Sequence, residues 1–194
     1  DGIPVVICRT GWSGEVGYEV YLRDPSRGEE LWNRIMEAGA PHNIRPIAPS
    51  DIRRVEAGIL NYTSDMTLEN NPYEVGLDRL VQLDQEADFI GKEALKRIKA
   101  EGVKRMLVGV EIHGDRLPEG NYDRWPVKRD GASIGRVTIA VYSPRLERNI
   151  GYAWVPIEYS GLGTKLTLET PEGETTATVV EKPFVDAKKK IPAS

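Results

Sequence analysis

The chain has 194 residues, with 26 Lys and Arg against 30 Asp and Glu and a formal net charge of −4. That balance leaves no global basic footprint for nucleic acid, and no apolar run approaches the ~20 residues a membrane-spanning helix needs. A single cysteine, Cys8, excludes an intrachain disulfide framework and fits a reducing, cytoplasmic setting. With 40% hydrophobic and 29% charged residues, the chain can bury a core as one large domain or two small ones. It begins at Asp1 and enters a strand-like run, Ile3-Pro4-Val5-Val6-Ile7, almost at once, so upstream sequence is expected to be missing. No signal peptide is visible.

Residues 4–8 and 18–22 read as two strands joined by Gly11-Trp12-Ser13-Gly14-Glu15-Val16-Gly17. Three glycines in that loop permit sharp bends and positive φ. Cys8 is expected as a small buried residue of the first strand. Period two sets Glu19 and Tyr21 on one face of the second strand and Tyr18, Val20 and Leu22 on the other, the natural core side. Ser26 and Glu29 have capping-box spacing, so a helix is expected to start at Ser26. Leu31, Trp32, Ile35 and Met36 form its core stripe, and Gly39 stops it. Ser50 can cap a second helix over roughly 51–60, with Ile52, Val55 and Ile59 on one face. Residues 61–75 are polar and rich in turn formers, an ordered loop long enough to suggest that it lines a site. A short strand is expected near Leu80–Leu83 and a third helix over about 91–101.

From Met106 the pattern changes. Residues 106–112, 125–128, 133–142, 150–155, 164–169 and 175–181 read as short strands, with Asp130-Gly131 a hairpin signal and Glu172-Gly173 another turn. Trp154 is expected in the core. Six strands at this spacing predict a small antiparallel barrel or sandwich. The fold class is therefore α+β, divided near 102–106 into residues 1–103 and 104–194.

Several chemistries find no support. His42 and His113 lack ligand spacing with each other and with Cys8, so no metal site is expected. There is no phosphate-binding Walker loop and no dinucleotide fingerprint; Gly11–Gly17 joins two strands and leads into no helix. No serine stands in a nucleophile-elbow context.

The blocks themselves resemble a known family. Arg9-Thr10-Gly11-Trp12-Ser13-Gly14-Glu15-Val16-Gly17-Tyr18-Glu19-Val20 is similar to the R-x-G-[aromatic]-[ST]-G-E-x-G-[aromatic]-E-[aliphatic] motif of the folate-dependent aminomethyltransferases, which include the T-protein of the glycine cleavage system and related demethylases. Arg54-Val55-Glu56-Ala57-Gly58, Asn70-Asn71-Pro72-Tyr73-Glu74-Val75-Gly76-Leu77 and Asp88-Phe89-Ile90-Gly91-Lys92 resemble further family blocks. So do Ser143-Pro144 with Ile150-Gly151-Tyr152-Ala153, and Lys182-Pro183-Phe184-Val185-Asp186. All run in family order over nearly the whole chain. In detail, Trp12, Tyr62-Thr63-Ser64-Asp65-Met66-Thr67, Val185-Asp186 and Ile191-Pro192 resemble the dimethylsulfoniopropionate demethylase subgroup. Ser50 stands where the T-protein usually has arginine, and Lys188–Lys190 where its tail usually has tyrosine.

The resemblance implies the C-terminal part of a folate-binding α+β (ferredoxin-like) domain, followed by the family's C-terminal barrel. It implies tetrahydrofolate as cofactor, with Glu19 receiving the pterin ring and Tyr21 ordering that site. A carboxylate can accept two parallel hydrogen bonds from a 2-amino group and its ring N–H; the plain alternative is a solvated strand residue. Trp12 would offer a cation–π face to a sulfonium or ammonium donor, or plug its loop against the core. Arg54 would brace the site, or be a helix-surface charge beside Glu56. Tyr62 and Asp65 would line the substrate side, or be turn residues. No catalytic residue is expected in this fragment, because the family's carboxylate near the reacting nitrogen lies in the N-terminal half. The expected partners are a small-molecule methyl donor and that N-terminal half. Association into homo-oligomers through an apolar seam is also expected, and a lipoyl carrier protein only if the parent is a T-protein. The favoured activity is demethylation onto tetrahydrofolate; the alternatives are the T-protein reaction and a non-catalytic folate-binding or regulatory module.

Overall fold

The computed structural model describes residues 2–193. The described residues of 1–50 and 188–194 form one compact unit, and 51–187 form a second.

In the first unit, β1 (Val5–Cys8) and β2 (Glu19–Leu22) pair antiparallel, with Val5 opposite Leu22 and Cys8 opposite Glu19. A single 3-10 turn, Pro25–Arg27, precedes α1 (Gly28–Gly39). The N-cap here is Asp24, two residues before the expected Ser26: its carboxylate accepts from the backbone N–H and the hydroxyl of Ser26. Asp accepts at least as well as Ser at a cap, and Pro25 is pre-set for the first turn position. Arg27 then pairs with Glu30 at 2.7 Å. The expected core stripe of α1 is not buried within this chain; Trp32 is 55% exposed. Val6, Ile7, Tyr18 and Val20 are exposed as well, and Cys8 is half-buried where a buried residue was expected. A two-stranded ribbon and one helix offer too little apolar surface to bury one another. Of the three loop glycines only Gly14 adopts positive φ.

The second unit opens with α2 (Asp51–Glu56), six residues in place of the expected ten. It stops early because the chain turns left-handed at Gly58, φ 72°, with Ile59 N–H returning to the Arg54 carbonyl at 2.8 Å. The ordered loop expected over 61–75 extends to residue 77. Asn71 and Glu74 cap each other there: the Asn71 side chain accepts from the Glu74 N–H, and Glu74 accepts from the Asn71 N–H. The strand expected near Leu80 is a 3-10 turn, Asp78–Leu80, because the segment has no neighbouring strand to supply a ladder. Next comes α3 (Lys92–Glu101), which Gly102 ends at φ 78°.

Six strands follow: β3 (Arg105–Ile112), β4 (Pro126–Arg129), β5 (Ala132–Ser143), β6 (Arg148–Pro156), β7 (Lys165–Thr170) and β8 (Gly173–Val180). They close into an antiparallel barrel in the order β3-β6-β5-β4-β7-β8, which settles barrel over sandwich. Asp130 and Gly131, both at positive φ, make the tight β4–β5 turn foreseen from their sequence. Inward residues such as Val108, Val110, Val137, Ala153 and Val179 fill the barrel. Leu107, Ile139, Ile150, Tyr152 and Trp154 face outward and pack against Val55 and Val75. Strict alternation along β5 fails at one place. The register shifts between Val137 and Ile139, so that Thr138 and Ile139 both face the outer layer.

A buried ionic hub beside an exposed tyrosine, and a carboxylate on a ribbon

Within the first unit, Glu19 is exposed at the start of β2. Its Oε2 accepts from the Tyr21 hydroxyl at 3.1 Å and from the Thr10 hydroxyl. The bond to Glu19, reinforced by that carboxylate's charge, pushes the Tyr21 hydroxyl above its ordinary pKa, so it stays a donor. Glu19 and Tyr21 do share a face, as period two requires. Trp12 is 46% exposed on the glycine-rich loop. Arg9 lies over the Tyr18 ring, 5.3 Å from its centroid. Thr10 escaped the sequence reading, because it lies beyond the paired residues of β1, where alternation no longer assigns a face.

Within the second unit, Arg54 and Asp65 are buried together. Arg54 Nη1 donates to Asp65 Oδ2 at 2.7 Å, and its Nε pairs with Asp51. Asp65 also accepts from the Asn61 N–H at 2.8 Å and from the Thr138 hydroxyl at 2.7 Å. Its carbonyl receives Trp154 Nε1–H at 2.9 Å. Arg54 is therefore no surface charge: burial opposes its ionisation, but Asp65 and Asp51 hold its pKa above the ordinary value. Asp51 is also partly desolvated, and hydrogen bonds from Tyr122 at 2.7 Å and from Arg54 keep its carboxyl below the usual range. Glu56 is buried as well, accepting from the Ser143 hydroxyl at 2.6 Å.

This hub braces the 61–66 turn. Thr63 sits at φ 77°, a strained angle for a β-branched residue, and bonds from its N–H to Met66 and from Arg124 to its carbonyl hold it there. Tyr62 projects from the turn, 51% exposed, while Asp65 points away from solvent into the hub. The strained turn thus separates two residues that the sequence grouped together. Thr138, Tyr122 and Asp51 were missed; the bulge that turns Thr138 outward leaves no trace in the hydrophobic pattern.

Among the described residues no cluster of His, Cys, Asp and Glu can hold a metal, and no helix is long and apolar enough to cross a membrane. The family model for the GCVT N-terminal domain matches residues 1–85, and that for the glycine cleavage T-protein C-terminal barrel domain matches residues 105–186. The chain belongs to the glycine cleavage T-protein family. The barrel of β3 to β8 lies within the second match. The dimethylsulfoniopropionate demethylase DmdA of Ruegeria pomeroyi is 38% identical over 180 residues, 93% of this chain and 48% of the relative. An aminomethyltransferase of Clostridium botulinum (strain Kyoto / Type A2) is 39% identical over 192 residues, 98% of this chain and 51% of the relative. The solved glycine cleavage system aminomethyltransferase T from Bartonella henselae superposes with a TM-score of 0.81 at 23% identity, over 93% of this chain and 49% of that one, and so shares the fold. The chain thus spans about half the length of the family members it matches.

Proposed function

We propose that the parent protein is a tetrahydrofolate-dependent one-carbon transferase and that Glu19 is its pterin contact. The observation that carries this reading is the exposed Glu19 carboxylate, ordered by Thr10 and Tyr21 through one oxygen, Oε2. A carboxylate held this way fits the paired N–H donors of a pterin edge. When bound, tetrahydrofolate supplies the nitrogen that accepts the one-carbon unit. In the first unit Glu19 and Tyr21 would meet the ring edge and Trp12 offers an exposed aromatic face; in the second, Arg54 braces the turn that displays Tyr62.

Within that class we favour a demethylase. Trp12 and the Tyr62-Thr63-Ser64-Asp65 segment support it, since an exposed indole suits a sulfonium or ammonium methyl donor. The T-protein reaction, with a lipoyl carrier protein as partner, is the second reading, motivated by the aminomethyltransferase relatives. The domain division at 103/104, a cytoplasmic location, and an N-terminal half completing the site belong to the same proposal.

The test is calorimetric titration of the full-length parent with tetrahydrofolate, beside a Glu19→Ala variant. Loss of a charged hydrogen-bond acceptor is expected to weaken binding about a hundredfold. Equal binding by both proteins, or by neither, leaves Glu19 a surface carboxylate and favours a non-catalytic module. Formation of methyl-folate from a sulfonium donor supports the demethylase, and methylene-folate formed with a lipoyl carrier supports the T-protein.

A further inference from the structure

Three arginines converge on the outer face of the barrel. Arg136 on β5 stands directly across the ladder from Trp154 on β6, whose other neighbour is Leu107 on β3. Two residues before Leu107, and so on the same outward face, lies Arg105; its guanidinium sits 5.1 Å from the centroid of the Trp154 ring. Arg124 arrives from the segment before β4. Its backbone is in the left-handed region, φ 56°, between exposed Asp123 and buried Trp125, and Pro126 is registered opposite Arg136. The turn therefore sets Arg124 two residues before the ladder partner of Arg136, near enough for Arg136 to sense its charge.

The compensation of these charges is unequal. Arg105 pairs with Glu74 at 3.0 Å. Arg124 donates to the Thr63 carbonyl at 3.3 Å, a neutral acceptor. The Arg136 guanidinium makes no hydrogen bond and no ion pair among the described residues. Partial burial and the like charges of Arg124 and Arg105 push its guanidinium below the ordinary value, against the opposing pull of Glu69. Neighbouring like charges repel, only modestly where water screens them, and a bound anion would replace that repulsion with attraction. Guanidinium forks suit planar or tetrahedral oxyanions, each fork offering two parallel N–H bonds.

We propose that Arg136, Arg124 and Arg105, on the platform of Trp154, form a binding site for a multivalent carboxylate or phosphate anion. The site lies wholly within the second unit and does not rest on the folate reading. It adjoins the hub through Trp154, whose indole N–H holds the Asp65 carbonyl, and through Arg124, which holds the strained Thr63. An anion drawn to Arg124 and Arg136 therefore pulls on the same turn that displays Tyr62.

The experiment titrates the 194-residue chain with citrate and, separately, with inorganic phosphate, followed by calorimetry and tryptophan fluorescence at low and at physiological salt. Arg136→Gln, whose guanidinium holds no other group, and Arg124→Gln, which also gives up the bond to the Thr63 carbonyl, are run beside it, and far-ultraviolet circular dichroism verifies folding. Saturable binding is expected in the micromolar to low-millimolar range, weakening about tenfold in each variant and falling with salt. Tighter binding of citrate assigns the ligand to the polycarboxylates and tighter binding of phosphate to phosphoryl compounds; either supports the site. No saturation by either anion up to ~10 mM, or unchanged affinity in both folded variants, overturns it.

Discussion

Asp65→Asn separates the charge of the buried hub from its hydrogen bonds. A flipped asparagine amide keeps every contact: its oxygen takes the Arg54 and Asn61 donors, and its NH2 donates to the Thr138 hydroxyl, which can accept. What disappears is the negative charge facing Arg54, a group 1% exposed. Leaving a buried arginine without its partner costs about 3–5 kcal/mol. Asp51 still faces Nε, but its side chain is 34% exposed and its compensation is screened. The expected loss is therefore about 2–3 kcal/mol for Asp65→Asn. For Asp65→Ala, which also strands the Asn61 N–H and the Thr138 hydroxyl, it is about 4 kcal/mol. Urea unfolding, with the buried Trp125 and Trp154 as reporters, measures both. A loss under ~0.5 kcal/mol for Asp65→Asn would show that the charge of Asp65 contributes little and that the hub is held by neutral packing.

Burial pushes the Lys182 ammonium down to about 8, while the unfolded chain keeps that proton to ~10.4. The folded state thus carries an unfavourable buried charge below pH 8, and the stability due to this group rises between about pH 8 and 10.5. Lys182→Met should flatten that rise. At pH 7 it should stabilise by about 1–2 kcal/mol, the ~3 kcal/mol of relieved desolvation less the lost bond to the Val75 carbonyl; unfolding curves from pH 7 to 10.5 check it, and a slope that survives refutes it. Gly58→Ala forces a side chain onto φ 72°, with its Cβ 2.9 Å from Pro183 Cγ. It should destabilise by at least ~1–2 kcal/mol in thermal melts, because a left-handed position just past a helix end excludes a Cβ. Thr63→Gly relieves a β-branched residue at φ 77° and should raise stability by about 0.5 kcal/mol; in the transferase proposed for the full-length parent it should lower kcat/KM if the strained turn presents Tyr62 to the substrate.

The sequence alone determined the local pieces. Period-two runs and the Asp130-Gly131 turn gave the six barrel strands to within two residues at nearly every end. Period two also placed Glu19 and Tyr21 on one face, and the ordered blocks gave the family. These features depend on neighbours a few residues apart, which a linear pattern records. Tertiary structure decided what distant segments do to one another. Closure of β3 against β8 chose barrel over sandwich. The β5 bulge turned Thr138 onto Asp65, and residues 11 apart in sequence, Arg54 and Asp65, became a buried pair instead of surface charges. The same limit explains Trp32: its stripe is apolar in sequence, but burial needs an opposing surface, and among the described residues Trp32 stays 55% exposed.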